Sequence, residues 1–431
     1  MMPRTPTALV LRACAPVDIA SLVALRVLLG VLLFGAVVRF WALGWIDALY
    51  VMPAQLLPYP GFEWIPRLPA PALYAVFATM AVCALLVALG RCYRVAAITL
   101  LVSFAYVELL DATNYLNHYW LVTLLLGGAA IAPLGSGHRE SVPAWMPGLV
   151  RAQLGLVYVF AGVAKLGADW LVHAQPLRLW LQVHADVPLV GPWLATPALA
   201  HAFAIAGTVF DLLIFPALCW SRTRAWAFVV LVVFHLVTAA LFPLGIFPWL
   251  MIAMTTIFFA PHWPRRLLRR TARRELAPLP LPGIGTAIAI GLWLGVQIAL
   301  PLRTLAYPGD VGWHGQGDRL AWRVMIVEKT GWLEYRVVDE TTGRSWRVDP
   351  AQELGRRQVA MLATQPDLIL GFAHRIAARE PAGVRVFADA FVAYDGRPSA
   401  RLVDPTVDLT RVEDGLARYD WVLPAPPFPA P

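Results

Sequence analysis

The chain has 431 residues, of which 59% are hydrophobic and 14% charged, with a formal net charge of +8. This composition excludes a purely water-soluble domain and indicates a polytopic membrane protein with a soluble part attached. It also argues against nucleic-acid binding, because much of the basic excess lies in short loops between apolar runs, where it orients a membrane protein.

Nine apolar segments are candidate membrane helices, and the fourth and eighth are the shortest. The first run contains Arg26 and Arg39. It is too long for a signal peptide and lacks a small-residue cleavage pattern, so we predict a signal anchor. The segments cover residues 19–43, 72–89, 95–110, 120–131, 149–166, 201–220, 225–241, 247–259 and 285–300.

Positive charge predicts the orientation of these segments. The strongest signal is the arginine-rich loop between the eighth and ninth segments, which we assign to the cytoplasm. Alternation then predicts a cytoplasmic N-terminus and an external region after Leu300. The arginines on the predicted inner side are Arg4, Arg12, Arg91, Arg94, Arg139, Arg222, Arg224, Arg265, Arg266, Arg269, Arg270, Arg273 and Arg274.

The third segment ends in a group of polar residues within ELLDATNYLNHYWL. Glu108, Asp111 and Tyr115 recur at the spacing of one helix face. Asn117 and His118 follow at the predicted outer mouth. A solvated helix end with ordinary caps would explain these residues, but a histidine at this depth can also exchange protons near neutral pH.

The fifth segment ends at Lys165, roughly 27 Å from the start of its helix and so near the far edge of a bilayer core. Gly155 and Gly162 share a face that a neighbouring helix can approach closely. Lys165 either reaches the headgroups or faces the bundle interior as a functional group. The residues that follow, 169–193, include Trp170 and resemble a re-entrant or interfacial segment.

Two later segments each carry an ionisable residue in apolar surroundings. Asp211 lies in the sixth segment, where a carboxylate is costly unless it is paired or protonated. His235 lies in the seventh, with Thr238 three residues on. A structural polar contact would account for Asp211, but Asn117, His118, Lys165, Asp169 and His235 all come from the same leaflet. Their convergence predicts a site that opens outward.

The predicted fold is therefore a polytopic α-helical membrane bundle followed by a β-rich α+β soluble domain. We divide the chain into a cytoplasmic tail (1–16), a membrane domain (17–301), an extracytoplasmic domain (302–420) and a Pro-rich tail (421–431). The last eight residues, PAPPFPAP, are predicted to be disordered polyproline.

Alternating residues in the soluble domain predict strands in WRVMIVEK and WLEYRVVDETTGRSWRVD, joined at Thr330–Gly331. A second turn is predicted at Thr341–Gly343, and a hairpin turn at Asp395–Gly396. Residues 350–379 have helical periodicity that is interrupted at Pro366. The outer domain has no cysteine, and no Cys/His spacing resembles a zinc site.

Several motifs along the chain resemble one known family, the vitamin K-dependent gamma-glutamyl carboxylases and their bacterial relatives with an HTTM membrane domain. The resemblance extends from about residue 17 to 412. It rests on VYVFAGVAKLGADW, NHYWL, FDLLIFPALCW, FHLVTAALFPLGIFPW, YPGDVGWHGQGDRLAWRVM and DGRPSARLVDPTVDL.

The resemblance implies an external-face enzyme that oxidises vitamin K hydroquinone, phylloquinol or menaquinol, with O2 to the epoxide and couples this to carboxylation of protein glutamate by CO2. It implies that Lys165 deprotonates the quinol and that His118 and Asn117 belong to the same active site. An apolar pocket favours the neutral amine, and a nearby donor such as Asn117 or His118 could hold the quinol oxygen or a developing oxyanion. No metal is implied.

Further candidate pocket residues are Tyr158, Asp169, Trp170, Asp211, His235, Thr238 and Asp111. The sequence departs from the family at Ala164, where a second lysine is common, and at Thr238, where asparagine is common.

The predicted partners are membrane lipid, the quinol and a glutamate-containing protein or peptide, and the predicted location is a bacterial inner membrane. Two alternatives stay open. One is a non-enzymatic quinone-binding or transport protein, although we find no internal repeat of the kind that transporters show. The other is an anchor that displays the β-rich domain.

Overall fold

The computed structural model describes residues 11–135, 140–269, 283–380 and 383–428. Every predicted apolar segment forms a helix in this part of the chain. These helices are α1 (Ala20–Ala42), α2 (Ala70–Leu89), α3 (Tyr93–Leu110), α4 (Asn117–Ile131), α5 (Trp145–Ala164), α6 (Pro197–Cys219), α7 (Arg224–Leu241), α8 (Phe247–Thr255) and α9 (Ile284–Leu302). Within the described ranges, seven are long and apolar enough to cross a membrane, and α4 and α8 are shorter. The predicted polytopic bundle is confirmed.

Small residues bring α5 and α6 together. A Cβ at Gly155 would lie 2.6 Å from the ring of Phe215, and one at Gly162 would lie 2.8 Å from the side chain of Leu212. The two glycines therefore face α6, as their spacing predicts. This close approach sets the distance between the end of α5 and the middle of α6.

Arg26 of α1 and the residues around the start of this helix are held by polar contacts. The Arg26 guanidinium is buried and donates to the carbonyls of Leu134 and Ala88. Nearby, β1 (Pro16–Asp18) pairs antiparallel with β2 (Ser141–Pro143), and Asp18 lies 2.7 Å from Arg265. Of the loop arginines used for orientation, Arg4, Arg139, Arg270, Arg273 and Arg274 lie outside the described residues.

The chain after α9 forms the predicted α+β domain around a four-stranded antiparallel sheet of order β4-β3-β5-β6. Two helices pack against this sheet, and the Tyr335 hydroxyl donates to the carbonyl of Ile369 at 2.8 Å. These elements are β3 (Lys329–Asp339), β4 (Ser345–Val348), α10 (Arg356–Leu362), α11 (Pro366–Arg379), β5 (Val384–Tyr394) and β6 (Ala400–Arg401).

The turn predicted at Thr330–Gly331 is wrong. Both residues lie inside β3, opposite Ala393 and Val392 of β5. A Cβ at Gly331 would lie 2.9 Å from the carbonyl oxygen of Ala363, so the glycine serves close packing rather than a turn. The turn at Thr341–Gly343 is confirmed, because Gly343 has a φ of +68° between β3 and β4.

The hairpin turn at Asp395–Gly396 is also confirmed, since both residues have positive φ, as type I′ turns require. The prediction of a disordered polyproline tail is wrong for residues 424–428. The Phe428 ring stacks on His173 at 3.8 Å between centroids and lies under the Arg397 guanidinium. The end of the soluble domain is thus held against the membrane domain.

Short helices complete the described chain. Residues predicted as a re-entrant or interfacial segment form Ala168–Leu171, Leu177–Gln182 and Gly191–Leu194. The helix face proposed for Glu108, Asp111 and Tyr115 does not exist, because α3 ends at Leu110 and Asp111 has an extended conformation. Further short helices are Asp47–Val51, Ala112–Asn114, Thr256–Phe258, Trp263–Leu267, Arg303–Ala306, Val311–His314, Pro350–Gln352 and Leu409–Arg411.

Candidate active site

A buried ion pair lies where α5 ends beside α6. The Lys165 Nζ atom is 2.9 Å from Asp211 Oδ2, and each side chain is only 7% exposed. The same amine donates at 3.4 Å to the carbonyl oxygen of Val324, which belongs to the segment between α9 and β3. Two opposite charges so far from water are tolerated because each is the partner of the other.

A second polar pair lies close to the first. The Tyr158 hydroxyl and His235 Nε2 share a hydrogen bond of 2.9 Å, and both side chains are buried. Within the described ranges, His235 Nδ1 has no hydrogen-bond partner. The Thr238 hydroxyl donates to the backbone carbonyl of His235. The histidine is therefore fixed at one ring nitrogen and free at the other.

Both pairs line one apolar cavity of about 260 Å³ between α5, α6 and α7. Its walls are mostly aromatic and aliphatic, and the Trp170 ring centroid lies 5.2 Å from Lys165 Nζ. The cavity is small for a ligand pocket, so it suits a ring system rather than a whole long-chain lipid. The aromatic lining comprises Tyr158, Trp170, Trp180, Phe203, Phe234, Phe242 and Phe247.

A larger and more polar cavity of about 650 Å³ lies next to the apolar one. Asn117 and His118 line it, together with Glu108, Arg39 and Arg357. The two cavities share four lining residues, and Val324 and Met325 among them come from the segment between the two domains. The shared residues are Leu244, Phe247, Val324 and Met325.

Asn117 and His118 are neighbours in the chain but make different contacts. Asn117 accepts a hydrogen bond from the Tyr115 hydroxyl and donates at 3.1 Å to the carbonyl of Arg323, so both ends of its amide are used. The His118 ring packs 5.8 Å from Phe247, which also lines the Lys165 cavity. The structure thus places His118 and Lys165 in adjacent cavities.

Asp169 and Asp111 do not themselves line either of the two cavities, although Trp170, next to Asp169, lines the apolar one. Asp169 forms an ion pair with Arg397 at 2.6 Å, and Asp111 accepts from the Gln358 amide at 2.6 Å. Burial raises the pKa of Asp111, while hydrogen bonds from Thr113 and Gln358 oppose the shift. Both carboxylates join the membrane bundle to the soluble domain.

Val324, Met325, Arg39 and Arg357 line the cavities but were not identified as site residues from the sequence. The segment that carries the first two has an irregular backbone, with positive φ at Leu320, Trp322 and Met325. Such conformations are uncommon for non-glycine residues and leave no pattern in a sequence. Arg357 is brought to the cavity by a helix of the soluble domain, which no local signal could reveal.

The chain is thus a polytopic membrane protein whose buried Lys165–Asp211 pair also contacts Val324, in the segment that leads into the α+β domain. Residues 14–263 match the model of the HTTM domain, and residues 285–427 match that of the vitamin K-dependent gamma-carboxylase lumenal domain. The chain belongs to the vitamin K-dependent gamma-carboxylase family, which is a family of enzymes. No solved structure matches the chain.

Proposed function

We propose that this protein oxidises reduced vitamin K with O2 to the epoxide and couples the oxidation to carboxylation of a protein glutamate. The observation that carries the proposal is the net-neutral Lys165–Asp211 pair in an apolar cavity. The cavity fits the group, because its aromatic walls suit a flat quinol ring and its lining includes polar side chains that can accept a proton.

The overall reaction balances without any other oxidant. A quinol and O2 give the epoxide and one water, so one oxygen atom enters the product and the quinol supplies both hydrogens of the water. A glutamate γ-C–H and CO2 give the dicarboxylate and one proton, which leaves as the new carbon–carbon bond forms. Oxidation of the bound quinol by O2 supplies the free energy that makes this otherwise unfavourable proton removal feasible.

The Lys165–Asp211 pair has the role of taking the first proton. A neutral pair that accepts a proton becomes singly positive, which balances the negative charge left on the quinol oxygen. The cavity as a whole therefore stays neutral throughout the transfer. This avoids the cost of an isolated charge in apolar surroundings. The Tyr158–His235 pair supplies a second group able to hold or pass a proton, and the aromatic walls exclude water.

Asn117 serves mainly as a positioning residue in this proposal, since its amide holds the backbone at Arg323. That bond fixes the adjoining residues Val324 and Met325, which close both cavities. His118 faces the polar cavity beside Phe247 and can act on whatever group approaches from there.

We further propose the orientation and domain limits that the arginine pattern predicts. The N-terminus and residues 1–16 would be cytoplasmic, the membrane domain would cover 17–301, and the domain from 302 would face the periplasm or lumen. Support comes from the positive-inside pattern, in which arginines, including Arg91, Arg224 and Arg265, lie in short loops on one predicted side of the membrane.

The test is epoxide formation by the purified full-length protein in detergent, supplied with reduced phylloquinone or menaquinone and O2. A glutamate peptide and labelled bicarbonate report carboxylation in the same tube. Epoxide and labelled peptide together would support the whole proposal. A folded protein that binds the quinol and forms no epoxide would instead favour the quinone-binding or transport alternative.

A further inference from the structure

We propose that the polar cavity beside the apolar one binds the substrate carboxylate, and that Arg39 and Arg357 are the residues that hold it. The identification of that carboxylate as a protein glutamate rests on the proposed function. The two arginines come from different parts of the chain, one from the end of α1 and the other from the first turn of α10. Both line the same cavity of about 650 Å³.

Arg39 lacks an anionic partner. Its guanidinium lies 4.5 Å from the ring centroid of Trp45, which lines the same cavity. In the described ranges no carboxylate lies within ion-pair distance of it, in contrast to Arg265 and Arg397. Stacking on an aromatic ring holds the planar fork in place and leaves its N–H groups free to donate.

Arg357 is held in a similar way. Its Nε atom donates at 3.1 Å to Asn114 Oδ1, an amide oxygen that carries no charge. The hydrogen bond fixes one edge of the guanidinium, and no acidic residue of the described chain pairs with the rest of it. A carboxylate is the ligand that such a pre-positioned fork binds best, because two parallel N–H groups match its two oxygens.

The charges on the cavity wall point to one additional anion. Arg39 and Arg357 are positive, and Glu108 is the acidic residue among those that line the cavity. The two arginines outnumber this acidic residue, and a single bound carboxylate would offset the difference. A neutral amide of the same shape would leave both guanidinium groups unpaired in a partly apolar site.

The position of the cavity suits a side chain that must react next to the quinol site. Phe247, Val324 and Met325 separate the two cavities, and His118 lies against Phe247 on the polar side. A carboxylate anchored on the arginines would place its side chain in the cavity that this partition borders. The volume is sufficient for a side chain together with part of a peptide backbone.

The experiment is equilibrium binding of two end-blocked tripeptides to the full-length protein in detergent, measured by calorimetry. The peptides differ only in a central glutamate or glutamine. We expect the wild type to bind the glutamate peptide at least tenfold more tightly, and R39Q and R357Q each to lose at least tenfold of that affinity. R344Q is the matched control, because Arg344 is an exposed arginine in the β3–β4 turn, and it should bind as the wild type does.

R357K separates binding from folding, since it keeps the positive charge but loses the two parallel N–H groups of the guanidinium. We expect this variant to elute from size-exclusion chromatography as the wild type does and to bind the glutamate peptide more weakly. Equal affinity of the wild type for both peptides would overturn the proposal. So would unchanged glutamate binding in either arginine variant. Epoxide formation is measured separately, without peptide. Glutamate selectivity without epoxide would contradict the proposed oxidation but support the carboxylate site. Epoxide without glutamate selectivity would support the oxidation but contradict the carboxylate site.

Discussion

Asp211 is the residue whose role depends most on its surroundings. Its carboxylate is the partner of Lys165, and nothing else in the described chain forms an ion pair with that amine. The sequence suggested that an apolar pocket would favour neutral lysine. The structure instead gives the lysine a buried carboxylate partner at 2.9 Å, so we propose that the pair, rather than the amine alone, is the proton acceptor.

We predict that D211N lowers epoxide formation by about 100-fold or more, since it removes one half of the acceptor. It should also destabilise the protein by roughly 3–5 kcal/mol, because Lys165 becomes a buried charge without a partner. The rate per folded protein and the midpoint of thermal unfolding measure the two effects separately. A D211N protein with wild-type turnover would show that the carboxylate is structural.

Asp395, which lies in the soluble domain, predicts how the stability of the protein depends on pH. Burial beside Asp169 raises the pKa of the Asp395 carboxyl to about 7. The folded state binds this proton more tightly than the unfolded state does. The protonated carboxyl therefore adds to the free energy of unfolding at low pH, and this stabilisation is lost as pH rises through 7. Between pH 5 and 8 the loss should be roughly 2–3 kcal/mol.

The variant D395N should remove this part of the pH dependence and stabilise the protein at pH 8. An amide keeps the acceptor for the backbone N–H of Glu328, and asparagine tolerates the positive φ at this position. Thermal unfolding from pH 5 to 8 measures the difference. If the unfolding temperatures of the variant and the wild type changed with pH in the same way, the raised pKa of Asp395 would be contradicted.

At the scale of elements, the packing of α5 on α6 positions the ion pair. We predict that G162A destabilises the protein by roughly 1–3 kcal/mol, because its Cβ would lie 2.8 Å from the Leu212 side chain and 3.0 Å from the Leu212 backbone nitrogen. It should also lower activity, since Leu212 adjoins Asp211.

The matched control is G35A in α1, where a Cβ would meet nothing within 4 Å. In that position alanine should be neutral or stabilising by about 1 kcal/mol. Thermal unfolding and epoxide formation of both variants are compared in the same detergent. Equal behaviour of the two would mean that the close approach of α5 and α6 does not matter.

The elements were predictable where one physical signal dominated. Long apolar runs gave the nine helices, and Asp395–Gly396 gave its hairpin turn. The turn predicted at Thr330–Gly331 was wrong, because a glycine required for packing against Ala363 cannot be told from a turn glycine in the sequence. Lys165 and His118 were identified as candidates, but Arg357 was not, since α10 of a separate domain carries it to the cavity.

At the scale of the whole molecule, the soluble domain is part of the site. Val324 and Met325 close both cavities, and the Asp169–Arg397 pair and Phe428 hold the domain in place. Two residues predicted for the pocket, Asp169 and Asp111, therefore act at a distance from it. Their carboxylates were visible in the sequence, but their partners Arg397 and Gln358 were more than 200 residues away.

A double-mutant cycle on D169N and R397Q measures this attachment. We predict a coupling energy of roughly 1–3 kcal/mol and a lower rate of epoxide formation in each single variant, because the partition between the cavities would loosen. The pair of Glu334 and Arg347 on the sheet, in which the arginine is exposed, is the control, with expected coupling below about 1 kcal/mol. Equal coupling in the two cycles would contradict the role of Asp169.

The most direct test of the central claim compares K165A with K329A. These are the two lysines of the chain; Lys165 is buried and Lys329 is half-buried. Lys329 donates instead to the carbonyls of Trp313 and Thr364, away from both cavities. We predict that epoxide formation per folded protein falls at least 100-fold in K165A and stays within a few-fold of wild type in K329A. A K165A protein that forms epoxide at the wild-type rate would contradict the account.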